Sequence, residues 1–294
     1  MSSHPELAAG VIHDIGYRRY DGPRLGRWSA ARAVYVHSLR GIFGIGRPAR
    51  AKVLPFLLVA ITAAPALVSG ALTAVVAVIP PIPYAGYAYY LQIAIMIFLA
   101  AQAPQVVTGD IRFRTLSLYF SRPLERSDYV WAKLAALVTA LFALMATPLL
   151  ILYAALLLTH THSASDALNE SGRLAIGLAG VAVDALLLAA IGMAISAFTR
   201  VRAFAVVGII GLYLVTSSVA AIVGGVAHGS DVGAAFGMVS PFSLLDGFQA
   251  WALRVPAVSP LEPGRLGWLY AIVVAADLAL AVAVLHWRYR RIES

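Results

Sequence analysis

Residues 53–109 read VLPFLLVAITAAPALVSGALTAVVAVIPPIPYAGYAYYLQIAIMIFLAAQAPQVVTG, and no charged side chain occurs between Lys52 and Asp110. A bilayer core takes roughly 20 apolar residues per helix, so this stretch is long enough for two spans. The break between them falls at Pro80, Pro81, Pro83 and Gly86. Proline removes a helix donor and clashes with the preceding turn, so this cluster reads as a connection between two helices. The same test applied outward finds uncharged gaps from Lys133 to Asp166 and from Arg202 to Asp231. Spans are predicted at about 53–79, 88–108, 134–158, 174–198, 203–227 and 267–287. The runs are continuously apolar and about twice the length of a spanning strand, which disfavours a β-barrel. The expected fold is an all-α integral membrane protein of six transmembrane helices (53–287). Residues 1–52 form a tail and an amphipathic interfacial helix before it, and residues 288–294 a short tail after it.

Composition supports this reading. The chain is 61% hydrophobic and 12% charged, whereas soluble domains are nearer half apolar and a quarter charged. With no cysteine, a disulfide framework, a thiolate metal site and a cysteine nucleophile are all excluded. The first 50 residues are too polar and arginine-rich for a cleavable signal peptide, so the first span is expected to serve as the targeting signal. Arg and Lys resist translocation and set topology. Nineteen of the 22 fall before the first span, between spans two and three, between spans four and five, or after span six; only Arg173, Arg254 and Arg265 fall on the other side. Both ends are therefore expected in the cytoplasm, in a multi-pass protein of the cell membrane. The net charge of +8 sits at span ends, where anionic headgroups attract it. Lipid, and not nucleic acid, is the expected partner of that charge.

Trp28, Ala31, Val34, Tyr35, Leu39, Ile42 and Phe43 recur at helical spacing among arginines, the pattern of a helix lying in the interface. Residues 13–27, rich in Tyr, Arg and turn formers, have no helical period; an ordered binding arm and a disordered or lipid-adsorbed arm fit them equally. The loop from Gly109 to Lys133, GDIRFRTLSLYFSRPLERSDYVWAK, is apolar and charged at once. Leu116, Tyr119 and Phe120 can share a face of a short helix that Pro123 stops, and Ser127 is expected to cap the third span with Asp128 at its positive end. A mere connector needs few apolar residues, so a partner or lipid should cover this one.

At this loop the chain resembles the permease subunits of ATP-binding-cassette exporters of the type-2 (ABC-2) class. The matching elements are Asp110, Arg112, Thr115-Leu116-Ser117-Leu118, Ser121-Arg122-Pro123, Arg126, Tyr129 and Lys133. The likeness extends more loosely to the interfacial helix, six spans and internal termini. It departs at Arg114, which stands where many members have glycine, and in lacking a large outer domain. The resemblance implies that the loop is a coupling helix docking on a separate ATPase, with Leu118, Tyr119, Phe120, Arg122 and Pro123 at the contact. It implies too that a second permease copy or a sister permease completes the path. ATP and magnesium would be bound by the partner, and no cofactor is expected in this chain. Ser240-Pro241-Phe242 resembles the family's turn between spans five and six, where outer helices gate the exit.

The sequence has no phosphate-binding loop, no His-Glu-x-x-His pair and no Gly-x-Ser-x-Gly elbow, so an enzyme is not expected. Two carboxylates, Asp184 and Asp277, fall inside predicted spans. A charge at a helix centre costs on the order of 3 kcal/mol on insertion scales, so such residues face a bundle interior or water. A substrate path or gate is one reading; a hydrogen bond holding helices together is the other, and with no basic residue inside a span, ion pairing is not available to them. Gln102 and Gln105 share a face of span two and fit a polar seam along a path, or interhelical bonding. Gly177-x-x-Gly180 and Gly208-x-x-Gly211 indicate close packing. The preferred expectation is an exporter permease. A non-transporting membrane scaffold or sensor subunit is the alternative, and a proton-coupled secondary carrier a further one.

Overall fold

In the computed structural model, residue 22 and residues 26–76, 82–112, 124–160, 163–227 and 229–291 are described. Every regular element among them is helical. In chain order these are α1 (Arg27–Ile42), α2 (Arg50–Val76), the single turn α3 (Tyr87–Tyr90), α4 (Gln92–Arg112), α5 (Arg126–His160), α6 (Ala164–Ala197), α7 (Arg202–Val226), α8 (Asp231–Gly237), α9 (Pro241–Ala252), a 3₁₀ turn (Gly264–Leu266) and α10 (Gly267–Arg291).

Five of these, α2, α5, α6, α7 and α10, are long and apolar enough to cross a membrane, and they mark a helical membrane protein. The expected second span is divided: α3 ends at Tyr90 with Leu91 as its C-cap, and α4 begins at Gln92, with its apolar part running over Gln92–Thr108. Helices also outrun the apolar stretches. α5 has 35 residues, about 52 Å at 1.5 Å per residue, against a hydrocarbon core of roughly 30 Å. The excess lies mainly at its start, where Arg126 to Lys133 continue the helix in polar residues.

α5 is the hub. It packs against α2, α6 and α1, while α4 lies against α6 and α7. Leu134, Leu137, Leu141, Leu144 and Leu149 of α5 are fully buried, and each such side chain contributes about 1.5–3 kcal/mol where its alternative is water. α7 is the opposite case: Phe204, Val207, Leu214, Val215 and Ile222 are exposed, and lipid or another protein must cover them.

The expected amphipathic helix exists as α1. Val34 and Ile42 are buried, with Ala31, Tyr35, Leu39 and Phe43 packed against the core. Trp28 alone departs from that stripe, standing 88% exposed. α1 runs beside α5 in the same sense, because Arg27 pairs with Asp128 and the Tyr35 hydroxyl lies 3.2 Å from Thr139 Oγ1. The turn into α2 uses Gly44 at φ +66°, where an added Cβ would also fall 2.8 Å from the Ala51 carbonyl oxygen.

α8 and α9 form a helical hairpin that dips toward the bundle. Its turn, at Ser240, lies 3.3 Å from Ser217 of α7, nine residues before the end of that helix, or about 13 Å along its axis. Ser230 caps α8 by accepting from the Gly233 N–H, and Pro241 occupies the first turn of α9, where its missing donor costs nothing. The short helices expected between spans five and six are thus present, and Phe242 packs edge-on against Tyr213 at 5.5 Å.

Candidate functional site

Two groups of polar residues stand out, one at the basic end of the bundle and one inside it, partway along α6. The first is at the basic end, where α4 stops and α5 starts. Asp110 sits in the last turns of α4 and Lys133 two turns into α5. The Lys133 ammonium donates to the Asp110 carboxylate and to the Val106 carbonyl, and its side chain is 6% exposed. The Tyr129 hydroxyl donates to the same carboxylate oxygen of Asp110 at 2.5 Å. Tyr129 is itself fully buried, with its ring 5.5 Å from that of Tyr289 in α10. A buried ammonium is tolerated only when paired and hydrogen-bonded, and this arrangement satisfies both conditions. The consequence is mechanical: the end of α4 and the start of α5, on either side of residues 113–123, are clasped to each other and to α10.

α1 joins the same junction. The Arg27 guanidinium spans Asp128, with Nε to Oδ2 at 2.5 Å, and Glu125, with Nη2 to Oε2 at 2.9 Å. The expected cap is corrected here. α5 begins at Arg126, so Ser127 lies inside it, and Asp128 Oδ2 accepts from the Glu125 N–H at 3.2 Å. The longer reach of Asp128 suits both that donor and Arg27. The loop residues to which the resemblance assigns partner contact, Leu118, Tyr119, Phe120, Arg122 and Pro123, lie outside the described residues, as do Leu116 and residues 13–21.

The second group is Asp184 with the hairpin. Asp184 is 1% exposed, and both of its carboxylate oxygens accept from Gln249 Nε2 of α9, at 2.7 and 2.9 Å. Gly180, one turn earlier, permits the approach: a Cβ there would fall 2.5 Å from Gln249 Oε1. Gly177 likewise lies against Tyr84, so the small-residue spacing of α6 serves packing within this chain. Asp246, on the same face of α9, accepts the N–H groups of Val258 and Ser259 at 2.9 and 2.7 Å and so folds the following loop back over the hairpin.

The remaining candidates disperse. Gln105 donates Nε2 to the Gly41 carbonyl at 2.7 Å, a tie to the end of α1 and not part of a seam. Gln102 is buried, with no hydrogen-bond partner on Oε1 among the described residues. Asp277 is half-buried on α10 and bonds to no described residue; nothing joins it to Asp184. Gln249 and Asp246 were missed by sequence reasoning, although three-residue spacing on an apolar segment was a usable signal. Arg202 and Arg288 reach the carbonyls of Ala101 and Ala197 at 3.0 and 3.2 Å. Compared with known proteins, the chain matches no family model and no curated protein.

Proposed function

We propose that the chain is the permease subunit of an ATP-driven exporter, one of two permeases that enclose a path, moved by a separate ATPase acting on the loop between α4 and α5. With α4 counted as a sixth crossing, both ends lie in the cytoplasm. The observation that carries the reading is the Asp110–Lys133–Tyr129 clasp. With the end of α4 and the start of α5 locked together and to α10, a push delivered through residues 113–123 moves α4 and α5 as one body. The Asp184–Gln249 bond inside the bundle supports the same reading, since it ties a membrane-dipping hairpin to a bundle helix and gives the hairpin a discrete contact to break and remake. ATP-driven closure of the partner then favours one packing of the bundle over the other. The broad apolar face of α7 suits a second permease copy or a sister permease. Apolar walls with few polar groups favour an amphiphile or lipid as cargo over a sugar.

Asp184→Asn tests transport against scaffolding. Asparagine keeps an oxygen acceptor for Gln249, so the chain is expected to fold and assemble. Transport of amphiphilic cargo, measured as dye efflux from cells expressing the complex, is expected to fall by roughly ten-fold or more, the scale of one lost charge-assisted contact. Unchanged efflux would remove Asp184 from the mechanism, and loss of assembly alone would favour a scaffold.

A further inference from the structure

At the basic end, the start of α5 and the end of α10 leave a cleft of about 450 Å³, lined by Arg126, Ser127, Val130, His286 and Arg290 among others. Its polarity is graded. Arg126 and Arg290 stand at the outer lip, held together by Arg126 Nη1 donating to the Arg290 carbonyl at 2.9 Å. Glu125 also lines the lip, but its carboxylate is bound to Arg27 on the far side. Deeper lie His286 and, five residues past Arg126, the half-exposed Trp131, whose ring is 5.6 Å from that of His286. Trp287, also half-exposed, carries Arg291 over its face at 4.4 Å.

Cations at the rim, hydroxyl and imidazole below, and the exposed Trp131 indole about 7 Å further in than Arg126 by helix rise repeat the order of a phospholipid from phosphate to acyl chain. Exposed tryptophans gather at the headgroup level of a membrane, and basic pockets between spanning helices take anionic headgroups. We infer that this cleft binds the phosphate headgroup of an anionic phospholipid from the surrounding leaflet. The site rests on the membrane reading and stands whether or not the chain transports anything. Leu124, which lines the cleft, directly follows the loop 113–123. A bound lipid would therefore brace the start of α5.

The test uses the full chain in phosphatidylcholine vesicles containing phosphatidylglycerol with brominated acyl chains, which quench nearby tryptophan fluorescence. Comparison with brominated phosphatidylcholine gives the lipid preference. Tryptophans elsewhere are common to all variants, so differences between variants report the cleft. The unmodified chain is expected to prefer the anionic lipid, and each arginine removed should lower that preference roughly five-fold. R290Q keeps the backbone carbonyl that Arg126 holds, so it is expected to fold and to show the first step; R126Q/R290Q shows the second, and R126K/R290K retains most of the preference. Soluble glycerol phosphate at millimolar concentration should not displace the lipid. A preference absent in the unmodified chain, or unchanged in R290Q and R126Q/R290Q, overturns the site, and displacement by glycerol phosphate would make it a free-phosphate site.

Discussion

Replacing Asp110 with alanine is expected to cost about 3–5 kcal/mol of stability, the range for removing one member of a buried ion pair. The loss comes chiefly from what remains. Lys133 is 6% exposed and would keep the Val106 carbonyl and the face of the Tyr129 ring but no counter-charge, while the Tyr129 hydroxyl loses the Asp110 acceptor at 2.5 Å. Lys133→Ala should cost less, because Asp110 is 21% exposed and can be hydrated. The pair Asp110→Leu with Lys133→Met should recover to within about 1–2 kcal/mol of the parent, since replacing both partners with apolar groups removes the charge along with its partner. Unfolding midpoints in detergent check the order. If the single Asp110 change proves as mild as the double one, the clasp is not the rigid element described.

Gln249→Leu is expected to be the next most damaging single change, at about 2–3 kcal/mol, because it leaves a fully buried carboxylate with no donor. Asp184→Leu combined with Gln249→Leu should be nearly neutral by the same reasoning. A double-mutant cycle in the same detergent reads the coupling directly. A coupling below about 0.5 kcal/mol would mean that Asp184 finds another partner once the amide is gone, the level at which distant sites already add. Gly180→Val should mimic Gln249→Leu, since its side chain fills the space that Gln249 occupies.

These two contacts also define what could be read in advance. The absence of charge over long windows is a local property, so α2, α5, α6, α7 and α10 were legible from hydropathy, with edges displaced only where polar residues such as Arg126 and Ser127 prolong a helix. The division of α3 from α4 was not legible, because nothing in Tyr87–Gln92 breaks a helix by chemistry, and the contact of α3 with α9 is tertiary. Asp184 was visible as an anomaly, but its partner lies 65 residues away on a segment whose placement is tertiary. A buried carboxylate in an apolar helix announces that it needs a donor without saying which. The same holds for Gln105, whose partner is a backbone carbonyl in α1 and so has no side-chain signature. Lys133 was read as a motif residue at the start of a span, and its burial against Asp110 emerges only when α4 and α5 are packed.

The most direct test of the permease reading is to purify the tagged protein from gently solubilised membranes and identify any ATP-hydrolysing subunit that accompanies it, then repeat with Tyr119 and Arg122 both changed to glutamate. The account predicts that an ATPase is retained by the unmodified chain and released by the double change, while the membrane-spanning bundle keeps its unfolding midpoint. Failure to retain an ATPase in detergent and in nanodiscs alike would contradict it, and would return the chain to the scaffold or secondary-carrier readings.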